Sequence, residues 1–420
     1  MSTLASRDRV VGQRMFPNLD AYRAIGMVMI MTMHVTFASG LEFRSSIGPL
    51  FARMEVGVPI FFMVSGFLLY RPHVVSVVTG GPHMPARTFL RRRALRIVPA
   101  YWFALVAIAL LFGLPLTDGA GGLSNGWPSA RMWFLFLTLL STLRASTAFQ
   151  GIAPAWSIGV EVGFYLMLPV FARAMRRFVG TEETVTQIRR LLGACVGLYA
   201  LGQLWRFGLV WANPRWISSA IFWFPTHVDM FAVGMGLAVV SVAVEVGRPV
   251  PRLLAHLGRH PGQSWIAALL LWLVVVNPGG VENHVTTMFA RAPGLLAVGS
   301  EYAVRQLLYG GAAFFFLVPA VFGPQSEGMI RRFLSSRPMV WGGAISYAFY
   351  LWHVALLDRA EVWTGATAFH GSFWKLWILT FGLSTVAGAL SHYLIERPFL
   401  QLKNRPWSSL VPTRRRTEVP

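Results

Sequence analysis

Cysteine occurs once in the 420-residue chain, as Cys195 inside an apolar stretch. No intrachain disulfide and no cysteine-built metal site can therefore form. Charge is also scarce: Asp, Glu, Lys and Arg make up 13% of the residues, against about 25% in soluble domains. Lysine is almost missing, with Lys375 and Lys403 the two among 37 basic residues. There is no HExxH, no CxxC, no Asp-rich run and no Walker loop. No metal centre or P-loop chemistry is therefore written locally. No repeat of fixed period occurs either, which argues against a solenoid or propeller.

What is present is apolar surface. Hydrophobic residues make up 55% of the chain, and the mean hydropathy is +0.54. A chain this apolar cannot cover itself in water, so its natural solvent is the lipid bilayer. A helix needs about 20 residues to cross the hydrocarbon core. Ten runs qualify, near 18–40, 56–72, 97–116, 156–175, 191–212, 219–243, 263–277, 304–323, 339–358 and 374–395. The expected fold is an all-α polytopic membrane bundle of about ten transmembrane helices. Residues 1–15 form an N-terminal segment, 16–400 the membrane domain, and 401–420 a polar, Pro/Arg-rich disordered tail.

The net charge of +20 falls between the apolar runs, so it speaks for topology and anionic lipid rather than nucleic acid. Arg7, Arg9 and Arg14 precede the first run; Arg87, Arg91, Arg92, Arg93 and Arg96 precede the third; Arg173 to Arg190 follow the fourth. Basic clusters on alternate loops place both termini in the cytoplasm. This works only if the short apolar stretch 132–142 is re-entrant or interfacial and does not cross. The first run contains Arg23 and His34, unlike the clean core of a cleavable signal, and is expected to remain as a helix.

Ionisable groups inside membrane helices cost about 2.5–3.5 kcal/mol each on insertion scales, so they are functional candidates by default. Arg23 and His34 are eleven residues apart, close to three turns and about 16 Å along a helix. They share nearly one face. Arg93 and Arg96 also share a face, and with Arg23 suit phosphate oxygens; positive-inside anchoring is the plainer reading. Glu161 lies at a depth similar to His34. It is either half of a structural pair or the carboxylate that orients a His34 base. Tyr350 and His353 in SYAFYLWH, and His227 and Asp229 in FPTHVDMF, are accessory candidates. The first two also suit an aromatic belt, and the second two an acceptor pocket.

Six segments in order resemble the acyltransferase-3 family of bacterial membrane acyltransferases. They are Arg23-x10-His34, GVPIFFMVSGFLLYRP, Arg93-x2-Arg96 in RRRALRIVPAYW, WSIGVEVGFYLMLP with Glu161, SYAFYLWH with His353, and IERPF at 395–399. The resemblance implies ten helices in the bacterial cytoplasmic membrane and O-transfer of an acetyl or other short acyl group. It implies cytoplasmic acyl-CoA as co-substrate, with no permanently bound cofactor. The implied acceptor is an envelope glycan, glycolipid or small hydroxylated metabolite. It also implies that His34 is catalytic, that Glu161 falls on the family's acid, and that Arg23, Arg93 and Arg96 bind donor or support catalysis. Direct attack and an acyl-His34 intermediate both fit. Val162 stands where similar proteins often carry a second acid, and no hydrolase-like domain follows the last helix. A transporter or lipid flippase is the competing reading, since buried charges suit one equally.

Overall fold

Lipid offers the backbone no hydrogen-bond partners, so apolar runs of this length must satisfy themselves as helices. The computed structural model describes residues 16–117, 123–212, 218–276, 294–324, 327–367 and 369–402. The principal helices are α1 (Pro17–Ser39), α2 (Gly57–Val78), α3 (Ala86–Phe112), α4 (Ala130–Leu137), α5 (Ala155–Val179) and α6 (Thr184–Ala212). They continue as α7 (Phe224–Glu245), α8 (Pro261–Val276), α9 (Gly294–Phe322), α10 (Arg337–Thr364) and α11 (Phe373–Ser391). A two-stranded antiparallel hairpin, β1 (Leu114–Thr117) with β2 (Leu123–Gly126), follows α3. The N-terminal segment 1–15 and the tail from 403 onward lie outside the described residues.

Among the described residues, eight helices are long and apolar enough to cross a membrane, so the chain is a multi-pass helical membrane protein. Sequence pattern alone anticipates ten. The other two runs are helical but do not meet that standard. Helix α8 is described over 16 residues, about 24 Å at 1.5 Å per residue against a core of about 30 Å. Helix α6 is 29 residues long, but Arg189, Arg190, Gln203 and Arg206 dilute its apolar content.

Stretch 132–142 does not form a spanning helix. Helix α4 has eight residues, about 12 Å of rise. Leu139 then turns the chain with φ 61° into a 3-10 turn at Leu140–Leu143. Carbonyls at the end of α4 also accept hydrogen bonds from α3. Tyr101 donates its hydroxyl to Phe136 O at 2.8 Å, and Trp102 Nε1 donates to Leu137 O at 3.0 Å. This is how a short helix end is tolerated at a membrane site.

Two helix starts matter for the site. Helix α3 begins at Ala86 rather than near 97, because arginine is a good helix former. Arg93 and Arg96 therefore project from a rigid helix, not a loop. Helices α2 and α7 approach closely through reciprocal glycines. A Cβ on Gly66 would lie 2.3 Å from Phe231 O, and one on Gly234 would lie 2.1 Å from Met63 O. Small residues permit such backbone contact in membrane bundles, and it fixes the face of α2 that borders the site.

Candidate active site

Helix α1 supplies the axis of the site. At 100° per residue, Arg23 and His34 are offset by about 20°, so both face inward on one side. A cavity of about 120 Å³ is lined by α1 at Arg23 and Ile30, one turn short of His34. Arg23 and Ile30 of α1, Ser65 of α2 and Glu161 of α5 line it, together with Tyr347 and Tyr350 of α10. Arg93 and Arg96 of α3 enter from the end where Arg23 stands.

The arginine end is organised by acids. Arg23 has Asp20 at 3.9 Å, and Glu161 and Arg96 also act on its charge. Arg96 pairs with Glu396 at 3.2 Å, and the Glu396 side chain is fully buried. Glu396 ends a π-helical turn, His392–Glu396, that continues α11; its other oxygen meets His392 Nδ1 at 2.9 Å. Such turns redirect side chains and recur at functional sites. Arg93 lies over the rings of Phe89 at 5.9 Å and Tyr165 at 6.0 Å. Its Nε is buried without a hydrogen-bond partner among the described residues. Glu161 accepts a hydrogen bond of 2.6 Å from Ser65 Oγ and interacts with Tyr165. Three guanidinium groups thus face one cavity with a single lining carboxylate, an arrangement suited to an anion.

The opposite end is built from histidine. The cavity wall stops at Ile30 and Tyr350, and one turn on from each stands an imidazole. His353 Nδ1 lies 2.7 Å from Tyr350 O. A carbonyl only accepts, so Nδ1 carries the proton and His353 Nε2 carries the lone pair. That lone pair lies 3.1 Å from His34 Nδ1, which also faces Ile30 O at 3.0 Å. Both partners accept, so the His34 proton is on Nδ1 and its Nε2 is the basic nitrogen. His353 is 1% exposed, whereas His34 is half-buried and so open to a substrate. The pair can take a proton from a hydroxyl at Nε2 without rearranging.

Tyr350 lines the cavity and bonds Ser157 Oγ at 2.8 Å and Pro154 O at 3.1 Å, which fixes the turn that holds His353. His34 Nδ1–H donates to a backbone carbonyl and to His353 Nε2, while Glu161 accepts from Ser65 and is not the hydrogen-bond partner of His34 Nδ1. Asp229 is not brought to the cavity. Its oxygens meet Arg206 at 2.7 Å and Gln203 at 2.9 Å, and both members of the Arg206 pair are 1% exposed. His227 Nε2 faces Ile221 O at 2.8 Å, also outside the lining. Sequence reasoning gives no role to Ser65, Tyr165 or Glu396. The signal for Glu396 was an acid at the end of an apolar helix, in IERPF. Among the described residues no group of three or more His, Cys, Asp or Glu stands close enough to hold a metal ion.

No solved structure matches the chain. Among named proteins, it is 25% identical over 415 residues to YrhL of Bacillus subtilis (strain 168), provisionally named a peptidoglycan O-acetyltransferase, covering 95% of this chain and 57% of that protein. It is 21% identical over 398 residues to the peptidoglycan O-acetyltransferase OatA of Listeria monocytogenes, covering 91% and 55%. The chain thus spans little more than half the length of both. It is 25% identical over 401 residues to the acyltransferase MdmB of Streptomyces mycarofaciens, covering 93% of this chain and 92% of that one. The acyltransferase-3 family, described as an acyltransferase domain, matches residues 16–395, and the chain belongs to that family.

Proposed function

We propose that this protein is an O-acyltransferase of the bacterial cytoplasmic membrane. It moves an acetyl or other short acyl group from cytoplasmic acyl-CoA to a hydroxyl of an envelope glycan, a glycolipid or a small hydroxylated metabolite. The observation that carries this reading is the polarity of one cavity, with three arginines at one end and an oriented imidazole pair one turn past the other. Relatives named as O-acetyltransferases agree with it.

In this reading Arg23, Arg93 and Arg96 grip phosphate oxygens of the donor, and Glu161 offsets part of the repulsion among their guanidinium groups. The pantetheine arm follows the cavity toward His34, about 16 Å from Arg23, within an extended arm's reach. The acceptor oxygen attacks the thioester carbonyl as His34 Nε2 takes its proton. A C–O bond forms and the C–S bond breaks. The leaving thiolate receives that proton from the imidazolium, giving free CoA and an ester. His353 accepts from His34 Nδ1–H throughout and steadies the positive charge. The donor end faces the cytoplasm, with both termini on that side.

Radiolabelled acetyl-CoA supplied to the protein in nanodiscs, with an envelope extract as acceptor, tests the reading. Label should appear in an alkali-labile ester of the extract. Label that stays with CoA across glycan, glycolipid and small-hydroxyl fractions contradicts it.

A further inference from the structure

Beyond the cavity, at the same end as its arginines, lies a second basic cluster. Helix α2 carries His73 and Ser76 in its last two turns, and the loop after it folds His83 back over them. The His73 and His83 rings are 5.3 Å apart. Ser76 Oγ donates to Gly81 O at 3.0 Å, which closes the loop. From α5, Arg176 Nη1 donates to Ser76 Oγ at 3.1 Å, and Arg173 and Arg176 both act on His83. His83 Nδ1 is buried with no hydrogen-bond partner among the described residues. Burial, then Arg176 and Arg173, hold the His83 imidazole below its ordinary range.

Arg173 and Arg176 are exposed and flank a buried imidazole nitrogen without a partner among the described residues, so an anion here would meet two guanidinium groups and a ring nitrogen in need of a hydrogen bond. Two nearby acids are paired elsewhere: Glu182 with Arg190 at 2.9 Å, and Glu245 with Arg71. The cluster also connects with the cavity. The His73 ring lies 5.9 Å from Phe89, and Phe89 lies under Arg93 and 6.3 Å from Tyr165, which lines the cavity.

We propose that His83, Arg173 and Arg176 form a second anion site, which takes phosphate groups of a ligand whose reactive end lies in the cavity. The inference rests on the donor reading above and extends it: a donor with phosphates at two places is held at both. Membrane lipid headgroups share that chemistry, so the test separates the two sources.

The full chain is placed in nanodiscs of zwitterionic lipid, and binding of inorganic pyrophosphate is measured by calorimetry for the wild type, Arg173→Gln/Arg176→Gln and His83→Gln. Thermal unfolding of each variant checks folding. A loss of affinity of about tenfold or more in the double variant, with a smaller loss in His83→Gln, supports the site with a soluble phosphate as ligand. In a second arm, native mass spectrometry counts phosphatidylglycerol retained from mixed nanodiscs. Retention lost in the double variant, with no pyrophosphate effect, supports the same site with a headgroup as its anion. Folded variants equal to wild type in both arms overturn the proposal. Neither arm needs turnover, so a failure of acyl transfer alone counts against the donor reading and not against this site.

Discussion

The tautomer of His34 is decided by two atoms that it does not choose. Tyr350 O fixes the proton on His353 Nδ1, and His353 Nε2 with Ile30 O then fixes the proton on His34 Nδ1. A Gln at 353 retains an acceptor oxygen for that proton, and an Ala does not. His353→Ala should therefore lower turnover more than His353→Gln, with the KM for acyl-CoA unchanged in both, read from initial rates. Equal losses would show that the His353 ring acts by packing alone. Asp229 belongs to a different class of buried charge. Asp229→Asn leaves Arg206 buried and unpaired, a change worth about 3–5 kcal/mol, so it should lower the unfolding midpoint while leaving donor binding intact. Weaker donor binding at wild-type stability would instead bring Asp229 into the site.

At the scale of elements, α1 was legible because an eleven-residue spacing in one helix needs no tertiary knowledge to interpret. Arg93 and Arg96 were legible for the same reason. The His34–His353 contact was not, since its partners are 319 residues apart in sequence and only the packing of α1 against α10 brings them together. The partner of Arg96 was hidden by the π-helical turn, which rotates Glu396 off the face that a regular α11 would give it. Arg96 is 24% exposed and Glu396 fully buried, so Arg96→Ala strands a buried carboxylate. It should lower stability by about 3 kcal/mol as well as weaken donor binding, and Arg96→Ala/Glu396→Gln should recover stability but not binding. Thermal unfolding beside CoA titration separates the two effects. Gly234→Ala forces a methyl against Met63 O and should cost about 1–3 kcal/mol through α2–α7 separation.

For the whole molecule, the number and order of apolar runs were readable from composition, because lipid imposes helix on any such run. The number meeting the spanning standard was less readable, since α8 is described over 16 residues and the arginines of α6 lower its apolar average. The basic loops predict a topology, and the single cysteine makes it easy to check. In a Cys195→Ala background, Leu140→Cys, 43% exposed in wild type, should label with an impermeant maleimide from outside the cell. Labelling from the cytoplasm alone would invert the arrangement.

The most direct measurement is free-thiol release from acetyl-CoA by wild type and His34→Ala in nanodiscs with an envelope extract, with acetyl-CoA affinity measured on the same samples. His34 as the base predicts acceptor-dependent release in the wild type, a loss of about 10²–10⁴-fold in the variant, and equal affinity in both. Release by His34→Ala at the wild-type rate would contradict that assignment.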